Sequence, residues 1–162
     1  MPTYRNQCGK VQSLERLQTF NRFELVFLGH EKELLSEIDP LRERINEFFN
    51  SCNVPFQIQK GSAWYNEDSE SEKGFTFDYI FRDSQEKEIE IGNLSYNDTT
   101  WTKSFNISVN NKTAYSGCSG IGIQRLIYVF LLANGFDFQF WPEKVKNQYQ
   151  KNKINGVSRF CF

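Results

Sequence analysis

The stretch YSGCSGIGIQRLIYVFLLANGFDFQFWP, Tyr115 to Pro142, sets a thiol, two close-set glycines and a cation at one strand-to-helix junction. Gly120-Ile121-Gly122 lets a backbone come close to a neighbouring strand or a phosphate. Arg125, three residues on, projects from the first turn of the helix that follows. An arginine there offers polyphosphate a permanently charged fork, helped by the positive end of the helix. A second reading has the glycines serving close packing and Arg125 paired to a core carboxylate. GxGxxR by itself does not choose between them.

TYRNQCGKVQSLERLQTFNRFELVFLG, at the other end of the chain, reads as strand, charged loop, strand. Arg5 enters this hairpin, and Arg22 and Glu24 lie on one face of the return strand, where alternate positions face the same way. Cations at both ends of one sheet and a third on a helix suit a nucleoside triphosphate.

The elements that must position these groups follow from pattern. The chain of 162 residues fits one domain over 1–162, with a single core. Nineteen Lys and Arg against twenty Asp and Glu give a formal charge of −1, so nothing global points to nucleic acid or an anionic membrane. Sixteen Phe in a chain that is 16% aromatic indicate a sheet-rich core. Cys8, Cys52, Cys118 and Cys161 lack the close spacing of a zinc ribbon or a redox pair, and no signal peptide precedes them; reduced thiols and a cytoplasmic location are expected. The longest apolar run, LIYVFLLA, is too short to cross a bilayer, so no membrane partner is expected.

FNRFELVFLG reads as a central strand. In EKELLSEIDPLRERINEFFNSCN, Leu34, Ile38, Leu41, Ile45, Phe48 and Cys52 keep helical spacing through Pro40: either one kinked helix, or a break at which Asp39 caps a second helix. PFQIQK, GFTFDYIFR, KEIEIGNLSY and TWTKSFNISV read as four further strands with short links, which favours antiparallel pairing. A closing helix is predicted from about Gly120 to Asn134, with Gly135 just past its end. Beyond Trp141-Pro142 the polar tail with Lys144, Lys146, Lys151 and Lys153 reads as a solvated face. The sum is an α+β domain: an antiparallel sheet of about five strands flanked by helices.

These motifs carry a resemblance. YRNQ…LERLQTFNRFELVFLG resembles motif 2 of class II aminoacyl-tRNA synthetases, and GCSGIGIQRLIYVFLLANGFDFQFWPE resembles their motif 3. EIEIGNLSYNDTTWTKSFNI, between them, fits too. The wording is most similar to the zinc-dependent seryl-tRNA synthetases of methanogens and to the bacterial amino acid:carrier protein ligases. The resemblance implies ATP-dependent activation of a small, serine-like amino acid to an aminoacyl-adenylate. Transfer to a tRNA or to a carrier protein's phosphopantetheine thiol would follow. Arg5 would hold the α-phosphate and stabilise the charge that develops there. Arg125 would clamp the γ-phosphate, Gln7 would hydrogen-bond adenine, and Glu90 would help to hold Mg²⁺. Phe20 takes the adenine-stacking position, although a core phenylalanine accounts for it as well. Glu24 and Cys118 match two of three protein ligands of a zinc ion that receives the substrate's amino group.

The sequence departs from the pattern in several places. Motif 1, with its dimer interface, the third zinc cysteine upstream of motif 2 and a tRNA-binding domain have no counterpart in the 162 residues, so a core truncated before motif 2 is expected. Gln7 and Gln124 stand where the pattern has glutamates. Cys8, in the motif 2 loop, is either a substitute zinc ligand or an incidental cysteine. A homodimer, or a partner chain that supplies the missing elements, is expected. A degenerate module that binds nucleotide or a partner without catalysis is the alternative.

Overall fold

The computed structural model describes residues 2–4, 17, 19–62 and 74–151. Its centre is a six-stranded antiparallel sheet in the order β1-β2-β8-β5-β4-β3. The strands are β1 (Pro2–Tyr4), β2 (Thr19–Gly29), β3 (Gln57–Ser62), β4 (Phe75–Arg82), β5 (Glu88–Asp98) and β8 (Tyr115–Gly122). A small hairpin of β6 (Ser108–Val109) and β7 (Lys112–Thr113) lies apart from the sheet, its turn at Asn110 and Asn111 having positive φ at both residues.

Helix α1 (Glu31–Ser51) runs unbroken through Pro40, which settles the choice between kink and break in favour of one helix. It packs Leu34, Ile38, Ile45 and Phe49 against Phe77, Tyr79, Leu94 and Tyr96 of the sheet. Phe48, expected on the buried stripe, is 41% exposed, whereas its neighbour Phe49 is fully buried among Phe56 and Tyr79. Helix α3 (Ile123–Asn134) adds Val129 to the same core. It ends at Gly135, whose φ of 75° places it in the left-handed region and whose N–H reaches the Leu131 carbonyl.

Several expectations change. Tyr115–Gly122, absent from the strands read from sequence, forms β8 inside the sheet between β2 and β5, and α3 begins at Ile123 rather than Gly120. Its small residues make room on both sides of the sheet: a side chain at Gly117 would strike the Phe27 ring, and one at Gly120 would strike Arg22. TWTKSFNISV is not one strand. Asp98, with φ 51°, turns the chain out of β5, and helix α2 (Thr100–Ser104) follows, with Trp101 and Phe105 on its exposed surface. The Thr102 hydroxyl bonds the carbonyls of Thr99 and Ala114, tying α2 to the start of β8. The tail is helical from Glu143 to Lys151 (α4), and Val145 and Tyr149 border a groove with Phe48 and Cys52 instead of facing only solvent. No helix among the described residues is long and apolar enough to cross a membrane.

β2 is not central. One edge pairs with β8 along Arg22–Gly29, while among the described residues β1 pairs with Thr19–Asn21 of the other. Phe23 and Val26 are 62% and 64% exposed. A groove of about 330 Å³ runs between β2 and α1, lined by Leu25, Phe27, Leu34 and Leu41 with Glu37 and Arg44.

Candidate functional site

With α1 and α3 on one face of the sheet, the other face carries the polar side chains. Strand alternation and register put Phe20, Arg22 and Glu24 of β2, Cys118 and Gly120 of β8, Asn93, Ser95 and Asn97 of β5, and Thr76 and Asp78 of β4 on that face. Simple alternation along β5 would turn Glu90 to the helices, since it is three residues from Asn93. A bulge at Ile91–Gly92 shifts the register, so that Glu90 pairs with Ile80 and joins the polar face while Ile91 enters the core.

Three residues singled out from sequence meet in one corner. Arg125 Nη1 donates to the Glu90 carbonyl at 2.9 Å and lies 4.0 Å from Glu90 Oε2. The guanidinium carbon is 5.9 Å from the centroid of the Phe20 ring. Glu90 is 45% exposed, so Arg125 is paired with a carboxylate at the surface and not in the core. Gln124, where the pattern has a glutamate, accepts from the Asn21 backbone N–H at 2.9 Å and joins α3 to β2.

Beside this corner, Arg22 Nε donates to Glu24 Oε2 at 2.9 Å and Nη2 donates to Asn93 Oδ1 at 3.0 Å. Asn97 Nδ2 approaches Cys118 Sγ at 3.6 Å. Burial pushes the Cys118 thiol above its ordinary value, and Glu24 adds to this, against the hydrogen bond from Asn97 and the charge of Arg22. Further along the face, Asn93 Nδ2 donates to Ser95 Oγ (3.2 Å), Ser95 Oγ to Thr76 Oγ1 (3.0 Å), and Thr76 Oγ1 to Asp78 Oδ1 (3.0 Å).

Glu24 and Cys118 thus lie on adjacent strands and one face, a carboxylate and a thiol that suit zinc. The described residues contain no group of three metal-ligating side chains, and these two have Arg22 and Asn97 as partners. The fit to zinc is therefore partial. Arg5, Gln7 and Cys8 lie outside the described residues.

Sequence reasoning did not single out Asn93, Ser95, Asn97, Thr76 or Asp78, and took Arg22 only as a hairpin cation. The signal was present: N-L-S-Y-N and T-F-D place polar groups at every second position with apolar residues between, the pattern of a strand with one wet face.

An antiparallel sheet with helices on one face and a polar row on the other, bordered by Arg22 and by the Arg125–Glu90 pair, fits the architecture of a class II synthetase core. A family model described as tRNA synthetase class II core domain (G, H, P, S and T) matches residues 1–134, and the chain belongs to that family. It is similar to the type-2 serine–tRNA ligases of Methanothrix thermoacetophila (28% identical over 156 residues, 91% of this chain and 31% of the relative) and Methanococcoides burtonii (27% over 161 residues, 90% and 32%). The chain spans about a third of the length of these curated relatives. Among solved structures, the Methanopyrus kandleri seryl-tRNA synthetase in complex with Aquifex aeolicus tRNASec superposes with a TM-score of 0.72 at 22% identity, covering 93% of this chain and 32% of that one. A Cryptosporidium parvum prolyl-tRNA synthetase bound to proline and AMP gives 0.62 at 15%, covering 83% and 30%. These likenesses establish the fold.

Proposed function

We propose that this chain forms the ATP- and amino-acid-binding core of a seryl-tRNA-synthetase-like ligase. The reaction is attack of a small amino acid's carboxylate oxygen on the α-phosphorus of ATP, with release of pyrophosphate and formation of the aminoacyl-adenylate. The observation that carries this reading is the corner of Phe20, Glu90 and Arg125 on the same open face as Arg22, Glu24 and Asn93. Phe20 offers a ring to adenine, Arg125 a fork to the γ-phosphate, and Arg5, by its motif position, a donor for the charge that grows on the α-phosphate. Gln7, also by position, would bond adenine. Glu90 would share Mg²⁺ with phosphate oxygens; the ion, when bound, neutralises the polyphosphate. Zinc, when bound, would supply a positive centre for the amino group, with Glu24 and Cys118 as two of its ligands. The acceptor is a tRNA or a carrier protein's thiol.

The exposed flank of β2 and the groove beside α1 support association with a second copy or with a chain that supplies further elements of the core. The alternative, a synthetase-like module that binds nucleotide without catalysis, draws support from the Arg22–Glu24 ion pair, which engages a zinc-ligand candidate with a cation of the protein.

Pyrophosphate exchange tests the reading. Exchange into ATP should require a small amino acid and be lost in Arg5→Ala, by on the order of a hundredfold or more for one such donor. ATP·Mg²⁺ binding without exchange, in the presence of any partner segment and every small amino acid, would favour the non-catalytic module.

A further inference from the structure

Five side chains on four hydrogen bonds cross the open face from a cation on β2 to an anion on β4. Arg22 Nη2 donates to Asn93, Asn93 to Ser95, Ser95 to Thr76, and Thr76 to Asp78. The order of donation is fixed at both ends. A guanidinium only donates, so Asn93 must turn its carbonyl oxygen to Arg22 and its amide nitrogen to Ser95. An ionised carboxylate only accepts, so Thr76 must give its proton to Asp78, and Ser95 must then give its own to Thr76. With Asp78 ionised, these four bonds run in one direction, from Arg22 to Asp78, and Ser95 also lies within hydrogen-bonding reach of Cys118.

We propose that Asp78 is a positioning residue: as the anionic end of the row through Thr76, Ser95 and Asn93, it anchors the hydrogen bonds that hold the Arg22 guanidinium over Gly120, at the site where the substrate amino acid binds. The inference rests on the amino-acid site proposed above. Asp78 accepts a hydrogen bond from the Thr76 hydroxyl at 3.0 Å. Burial already holds its carboxyl above the ordinary carboxylate value, so the group is not there for its own stability. Thr76, in turn, is the only hydroxyl between Asp78 and Ser95, and its methyl group has no part in the chain of bonds.

The test uses the full chain, ¹⁵N-labelled, with Asp78→Ala, Thr76→Val and Thr76→Ser variants. Thr76→Val keeps the shape of the side chain and removes the bridging hydroxyl; Thr76→Ser keeps the hydroxyl. Asn93 side-chain amide and Arg22 Nε resonances are recorded, and serine and ATP·Mg²⁺ affinities are measured by calorimetry. Asp78→Ala and Thr76→Val should shift both sets of resonances and weaken serine about tenfold or more while leaving ATP within about twofold; Thr76→Ser should match the parent. Unmoved Asn93 and Arg22 resonances in folded Asp78→Ala and Thr76→Val would overturn the proposal, as would equal losses of serine and ATP affinity. Shifted resonances in a chain that binds ATP but no small amino acid would uphold the coupling and remove the amino-acid reading of the site.

Discussion

The guanidinium of Arg22 occupies the space that a side chain on Gly120 would need: a Cβ there would fall far inside contact distance of Arg22 Nη2 and 2.6 Å from Glu24 Oε2. Both are ends of flexible side chains, which can swing away. At Gly92 a Cβ would instead strike the Gly120 carbonyl, which is backbone and cannot yield. Gly120→Ala should therefore cost little stability but separate Arg22 from Asn93, weakening the amino acid about tenfold. Gly92→Ala should cost about 1–3 kcal/mol or more. Thermal unfolding of the two variants orders them, and greater damage from Gly120→Ala would contradict the geometry.

Phe48 and Phe49 provide a sharp contrast on α1. Phe49 is fully buried and in ring contact with Phe56 and Tyr79, so Phe49→Ala should lose about 3–5 kcal/mol. Phe48→Ala should lose well under half of that. Urea unfolding of both variants measures the difference.

Asp78 has a stability signature of its own. Burial raises its carboxyl from the ordinary 3.8, and the Thr76 hydrogen bond opposes this only in part. The folded chain therefore holds the proton more tightly than the unfolded one. That contribution is full below 3.8 and is lost as pH rises through the native value. Asp78→Asn does not titrate, so its stability should improve relative to the parent between acid and neutral pH. Chemical unfolding at a series of pH values checks the sign; a parent that gains on the variant as pH rises would contradict it.

The open flank of β2 should be covered in solution. Sedimentation over a wide concentration range is expected to show self-association or a retained partner. Phe23→Lys with Val26→Lys should weaken it, since like charges repel across a two-fold contact. A strictly monomeric parent chain would oppose this expectation.

Zinc should be substoichiometric in the purified chain, because Glu24 and Cys118 are two ligands and structural or catalytic zinc takes at least three from protein. Elemental analysis decides the content. One zinc per chain, lost in Cys8→Ser, would identify the loop cysteine as the third ligand.

The sequence carried the architecture where periodicity had a single physical cause. Helix α1 was legible because Leu34, Ile38 and Ile45 recur on one face, and strands β4 and β5 because FTFDYIF and NLSYN alternate. β8 was misread because its residues are small for a tertiary reason: Phe27 presses on one face and Arg22 on the other, and neither neighbour is local in sequence. TWTKSFNISV failed because Trp101 and Phe105 are exposed, so their spacing recorded no buried face. Phe20, Glu90 and Arg125 were singled out by motif position, whereas the polar row from Asn93 to Asp78 exists only once β4 and β5 are paired.

The bulge at Ile91–Gly92 gives β5 two phases of alternation along one strand. Deleting a single residue there would leave composition almost unchanged and restore an even pleat. It would also exchange inside for outside along one half of the strand, driving Glu90 against the helices or Asn93 away from Arg22. The number of residues between Glu90 and Asn93 is thus as much a part of the site as their identities. Substitution at this point should be borne more readily than any change in length.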